Sequence, residues 1–249
     1  MKQFVFILIS LCCLDGSAQD RTAGKKVLNY QKHDEKAIHF GFCVGLNVMD
    51  FTVTSSNAKF LNNNNQKDSL LASVTNLSMG FHIQAVSAAR LTDNLELRFL
   101  PGVAFGQRVL MFYDSNNQPY MPQGKSKPQP QTLESSYIEL PWLLKYKSAR
   151  VNNFRGFLVG GLNSRFDLAK TYKDEDDVYM DLKKIDFCYE LGGGFDFYFP
   201  YFKLSIELRG SWGMFDVHNR RSTTDIGQKY QDAVKNLRSS VYMISFYIE

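Results

Sequence analysis

The chain has 249 residues, of which 44% are hydrophobic and 22% charged; it is long enough for one sizeable folded unit and too apolar to be disordered. Its formal charge of +4 is small and spread along the chain. Without a basic cluster, nucleic acid is excluded as a partner.

Lys2 is followed by an apolar run over residues 4–14 and then by Gly16-Ser17-Ala18-Gln19. That order of charge, grease and small residues predicts a secretory signal peptide over residues 1–19, cut near Ala18 or Gln19. The run falls short of the ~20 apolar residues that a spanning helix needs. Leu11 is bulky where a lipid anchor on Cys12 or Cys13 calls for small residues. Residues 20–36 then read as a periplasmic N-terminal segment and 37–249 as the folded domain. Only Cys43 and Cys188 remain after export, too few for a disulfide framework.

From Ile38 onward the chain is written in twos. Ile38, Phe40, Phe42, Val44, Leu46 and Val48 alternate with His39, Gly41, Cys43, Gly45 and Asn47, which predicts a strand with one greasy and one small or polar face. The pattern returns in Leu77-Met79-Phe81-Ile83, in Leu95-Leu97-Phe99 and in Ile138-Leu140-Trp142-Leu144-Tyr146. Residues 154–168 are less regular, but Asn163, Arg165 and Asp167 share one parity. Ile185-Phe187-Tyr189-Leu191, Leu204-Ile206-Leu208 and Tyr242-Ile244-Phe246-Ile248 complete the series. Together they predict an all-β fold, an eight-stranded antiparallel up-and-down transmembrane β-barrel. Leu97, Leu140 and Leu208 are expected to face lipid near the middle of the bilayer.

Connections alternate in length. Residues 51–75, 114–133, 169–184 and 215–237 read as long polar loops, and 92–94, 148–153 and Pro200-Tyr201 as tight turns. Long loops on one side and short turns on the other are the mark of an outer-membrane barrel. The low mean hydropathy does not argue against it, because such barrels expose grease only at every second position.

Alternation alone does not say which face is inside, so a soluble lipocalin-like barrel with a greasy lumen is the competing architecture. Three features favour a polar lumen. Acids (Glu96, Glu139, Asp167, Asp186, Glu190, Asp196, Glu207) nearly balance bases (Arg98, Arg108, Lys145, Arg165, Lys203, Arg209) on the polar face, as a closed interior requires. Most strand glycines share that face, and aromatic residues dominate the other, as at lipid headgroup girdles. The lumenal charge network is therefore expected to comprise Glu96, Arg98, Glu139, Lys145, Glu190, Asp196, Glu207 and Arg209.

No catalytic, cofactor or metal site is expected. Glu190 with Asp196 has the makings of an acid–base pair but reads as part of the charge stack. His39 and His82 fall on the polar faces of adjacent strands without a further ligand at zinc-like spacing. The acidic run at 174–177 lacks the glycine and terminal Glu of a calcium loop, and Gly192-Gly193-Gly194 precedes no helix, so it is no phosphate loop.

Several ordered segments resemble the PorT family of the type IX secretion system. Val27-Leu28-Asn29-Tyr30, His39-Phe40-Gly41-Phe42 and Met49-Asp50-Phe51 resemble its opening. Leu97-Arg98-Phe99-Leu100-Pro101-Gly102, Tyr137-Ile138-Glu139-Leu140-Pro141, Leu144-Lys145-Tyr146-Lys147 and Asn152-Asn153-Phe154-Arg155 resemble its middle. Phe197-Tyr198-Phe199-Pro200-Tyr201-Phe202-Lys203, Leu237-Arg238-Ser239 and Ile244-Ser245-Phe246-Tyr247-Ile248-Glu249 resemble its last third. The resemblance implies an outer-membrane protein needed for cargo export and, in gliding relatives, for motility. It carries over no catalytic or binding residue. The implied partners are other membrane or periplasmic proteins of the secretion system, besides outer-membrane lipid. Competing classes are a stand-alone barrel that adheres, stabilises or modifies lipid, and a soluble ligand binder.

Overall fold

A computed structural model describes residues 28–30, 36–56, 59–61, 67–69, 71–76, 78–113, 118–119, 131–168, 181–219 and 232–249. The expected signal peptide and the acidic run at 174–177 lie outside them. The strands are β1 (Ile38–Ser55), β2 (Lys59–Leu61), β3 (Lys67–Ser69), β4 (Leu71–Asn76), β5 (Ser78–Arg90), β6 (Leu95–Phe99) and β7 (Gly102–Tyr113). They continue with β8 (Gln131–Lys147), β9 (Phe154–Asp167), β10 (Asp181–Leu182), β11 (Ile185–Tyr198), β12 (Lys203–Gly213), β13 (His218–Asn219) and β14 (Val234–Ile248).

Hydrogen bonding runs from β1 through β14, β12, β11, β9 and β8, then through β6–β7 and β4–β5, and closes where β5 pairs with β1. Taking β4–β5 and β6–β7 as one interrupted stave each, the antiparallel ring has eight staves. At the level where β5 pairs with β1 the ring leaves no bare edge to recruit another chain. The break between β6 and β7 falls at Pro101, whose nitrogen has no proton for the ladder. Pairing survives it, because the Pro101 carbonyl accepts from Ala85 N–H at 2.8 Å and Leu100 N–H donates to the Pro141 carbonyl at 3.1 Å. Short turns join β5 to β6, β8 to β9 and β11 to β12 at one end. In the last, Phe199 N–H donates to the Phe202 carbonyl at 3.0 Å around Pro200-Tyr201. Asn152, in the turn before β9, sits at φ 56°, a left-handed conformation that asparagine tolerates better than most residues.

The alternating side chains sort as the greasy-outside reading requires. Phe40 is 73% exposed and Leu208 63%, whereas Arg98 and Glu207, on the other face, are 0% exposed. Leu208 is the central residue of β12. Leu97 departs from expectation: β6 begins only at Leu95, so Leu97 stands near the short-turn end and not at mid-height.

The strands also run further toward the long-loop end than the alternation predicts. β1 continues to Ser55, β8 starts at Gln131 and β14 at Val234. Past the apolar belt the two faces exchange character. Thr52, Thr54, Gln107, Glu134 and Arg238 point outward and are exposed, while Phe51, Leu110, Phe112, Leu133 and Leu237 point inward and are buried in one cluster. Leu182, in β10 where it pairs with β13, and Val217, just before β13, pack into the same cluster. The barrel is thus polar inside where it is greasy outside, and has a water-soluble protein's apolar core above that level.

Candidate functional site: a closed lumen

The eight residues expected to form a lumenal network all lie inside the barrel, each no more than 2% exposed. Inward-facing positions on four staves, β6, β8, β11 and β12, place them there, and the register decides who meets whom. Toward the short-turn end, Lys145 Nζ donates to both Asp196 oxygens at 2.8 and 2.9 Å, and Lys147 bonds Glu96. Arg98 bonds Glu249 and lies 3.6 Å from Glu207. Lys203 Nζ reaches Glu249 at 2.6 Å, and the Tyr247 hydroxyl donates to Glu207 at 2.8 Å.

Higher in the barrel, Arg165 pairs with Glu139 at 2.8 Å and with Glu190 at 3.3 Å, and donates to Ser211 Oγ at 2.7 Å. Asn163 adds a 2.7 Å bond to Glu190 and Gln84 a 3.0 Å bond to Glu139. Arg209 joins the two levels: its Nε lies 3.4 Å from Glu190 and 3.6 Å from Glu207. Buried ions are tolerable only when paired and hydrogen-bonded in this way.

Four charged members of this network, Lys147, Arg165, Lys203 and Glu249, are absent from the expected set of eight, although Arg165 and Lys203 stand among the polar-face bases read from the sequence. Lys147 shares the inward parity of Lys145 and was legible; Glu249 follows the last outward residue, Ile248, and its inward position needed the strand's end to be known.

The pairs considered for chemistry are not brought together. Glu190 is opposite Ser211 and Asp196 opposite Ser205, so the two carboxylates are six residues apart along one strand, roughly 20 Å. His39 faces Ala88 and His82 faces Gly45, a similar separation. His82 Nε2 instead shares a 2.9 Å hydrogen bond with Ser245 Oγ. Among the described residues no group of three or more His, Cys, Asp or Glu is placed to hold a metal ion. Cys43 and Cys188 are both free and buried.

At the short-turn end the chain before β1 is pinned to the barrel. Asn29 N–H donates to Asn153 Oδ1 at 2.9 Å, and its side-chain amide donates to the Tyr198 carbonyl at 3.2 Å. Arg150 reaches Asn153 Oδ1 at 3.0 Å, and its guanidinium lies 3.7 Å from the centre of the Tyr198 ring. Tyr30 takes a φ of 52° where the chain bends away. One residue, Asn29, thereby ties the N-terminal segment to two different turns.

What the arrangement achieves is closure. The lower lumen is crossed by ion pairs and the upper one is packed with apolar side chains. Neither level leaves a passage of protein dimensions, in keeping with an interior of eight strands being just wide enough for its own side chains.

Residues 18–219 match the family model described as "Outer membrane protein beta-barrel domain". Among solved structures, the outer membrane protein OprG from Pseudomonas aeruginosa aligns at 10% identity with a TM-score of 0.45, over 84% of this chain and 92% of that one. Neisserial surface protein A aligns at 11% identity with a TM-score of 0.40, over 86% and 99%. No curated protein matches the chain. With the family model covering most of its length, the chain belongs to the outer membrane protein β-barrel domain family and resides in the outer membrane.

Proposed function

We propose that this barrel is an accessory component of a type IX protein secretion machine, needed for export of cargo proteins and, in gliding relatives, for motility. It acts by docking other membrane or periplasmic proteins, and neither as a pore nor as an enzyme. The observation that carries the docking role is the closed lumen: ion pairs such as Lys145–Asp196 below and the Phe112–Leu133–Leu237 cluster above. A barrel so filled cannot conduct a folded protein. Six of its lumenal carboxylates, those of Glu96, Glu139, Glu190, Asp196, Glu207 and Glu249, are held in ion pairs, which suits a structural role better than acid–base work.

The pathway itself is supported by the ordered resemblance to the PorT family, from Asn29-Tyr30 at the start to Ser245-Phe246-Tyr247-Ile248 at the end. Two faces are available to partners: the long loops and the short-turn face, periplasmic in outer-membrane barrels, where Asn29 fastens the N-terminal segment. Loops carried on a rigid scaffold are where recognition usually resides.

Gene deletion tests the reading. Cargo is expected to accumulate in the periplasm while small-solute uptake and the general outer-membrane barrier are unchanged, and His39→Ala and His82→Ala are expected to complement fully. Normal cargo export in the deletion strain would sink the secretion role and leave the barrel assignment standing. Photocrosslinking from the loops and from positions near Asn29 identifies which face meets partners.

A further inference from the structure

The lipid-facing wall carries a groove that side-chain alternation alone would not produce. Strand register lines up Tyr146, Leu158, Gly193, Leu208 and Ile244 in one outward row across β8, β9, β11, β12 and β14. One step nearer the short turns, Gly156, Phe195 and Ile206 form the next row. Gly156 and Gly193 are diagonal neighbours on β9 and β11, so two side chains are missing from one spot among bulky ones. The result is a depression of about 630 Å³.

The space over Gly156 is not taken up by packing: a Cβ placed there would have the Phe195 ring and Ser148 Oγ as its nearest neighbours, at 3.8 Å, an ordinary contact. Over Gly193 the Leu158 side chain leans in, its Cδ2 3.1 Å from where a Cβ would lie, and forms one wall of the depression. Leu158 and Leu208, 65% and 63% exposed, stand as its flanking ridges. The groove's side-chain polar atoms, the hydroxyls of Tyr146 and Ser148, sit at the end of β8 beside the short turn. Its remaining lining is aliphatic, aromatic or glycine. The depression is therefore greasy toward mid-membrane and polar toward the short-turn side.

We propose that this groove is a binding site for one glycerophospholipid of the periplasmic leaflet, its acyl chain seated over Gly156 and Gly193. The occupant follows from three observations. The groove is continuous with the belt that meets the bilayer, so what fills it must come from lipid. Its polar end lies at the periplasmic side, where that leaflet's headgroups lie. A concave wall surrounds a chain on several sides, and each added carbon contact contributes dispersion that a convex wall cannot offer. Bound there, the lipid completes the outer surface between β8 and β12. This inference rests on the outer-membrane placement alone and is independent of the secretion role.

The test uses the full-length mature protein, extracted in mild detergent and analysed by native mass spectrometry. The wild type is expected to keep one phospholipid after loosely held lipid has been stripped. Gly156→Leu fills the depression and is expected to lower the lipid-bound fraction about tenfold, whereas Ala85→Leu, on the opposite wall, leaves it unchanged. Equal retention in the two variants, or retention of an outer-leaflet lipid in place of a phospholipid, overturns the proposal. A second measurement needs no variant: wild-type barrel in vesicles of phosphatidylethanolamine bearing a photoactivatable acyl chain. Labelling concentrated at 156–158 and 193–195 supports the site. Even labelling around the belt overturns it, as does capture of a protein at Phe195 in cells.

Discussion

Arg209 lies diagonally across the β11–β12 hairpin from Glu190, with 3.4 Å between its Nε and the carboxylate Oε2, and neither side chain is reached by solvent. The same guanidinium approaches Glu207 at 3.6 Å, so this one side chain links the upper and lower halves of the lumenal network. Arg209→Met leaves Glu190 with Arg165 and Asn163 but uncovers Glu207 on that side. Removing one partner of a buried pair typically costs about 3–5 kcal/mol. Urea unfolding of the barrel in vesicles is expected to show a loss of that order, and a charge-neutral Arg209→Met, Glu190→Gln double variant is expected to recover part of it. An unchanged midpoint in the single variant would mean that the pair contributes nothing.

The apolar cluster at the loop end is expected to behave as a water-soluble core. Leu237→Ala removes a fully buried side chain that packs in that cluster and should cost about 2–5 kcal/mol. Because the ion-paired half is untouched, the loss should appear first as protease cleavage at the loop end, with the short-turn end still protected. Simultaneous loss of protection at both ends would show the two halves to be one cooperative unit.

On the outer wall, Leu208→Arg places a charge at the centre of β12, flanked by Gly193 and Ile244. A cost of about 2–4 kcal/mol is expected for a midplane position. Glu134→Arg, on an outward position beyond the belt, should cost far less. A reversed ranking in refolding titrations would displace the membrane from the belt assigned to it.

At the short-turn end, Asn29→Ala deletes the side-chain bond to the Tyr198 carbonyl, worth about 0.5–1.5 kcal/mol. The barrel's own unfolding should shift little. The N-terminal segment should instead become open to protease and to a cysteine-directed label placed at Leu28; unchanged accessibility would show that the segment is held by other contacts.

Sequence periodicity by itself determined the membrane-embedded part of this protein. A period of two over Ile38–Val48, with grease on even positions and His39, Cys43 and Asn47 on odd ones, admits one strand and one sorting of faces, since each side chain alternates and the pleat is rigid. The near-equal acids and bases named the lumen, and the alternation of long and short connections gave the order of the staves. The inversion of polarity above the belt was illegible for the same reason. When Phe51 and Val53 turn greasy on odd positions, a reading that expects one phase sees the strand end, although β1 runs on to Ser55. Only the closed ring reveals that these side chains have neighbours from β7, β8 and β14 to pack against. Partner choice within the lumen also belongs to the tertiary structure. Parity put Glu96, Lys145 and Asp196 on one face, but the stagger between staves, set by shear as the sheet closes, brought Lys145 to Asp196 and Glu96 to Lys147. The groove at Gly156 and Gly193 is likewise a matter of register: 37 residues apart in the chain, the two glycines become one depression because β9 and β11 pair with Leu158 opposite Gly193.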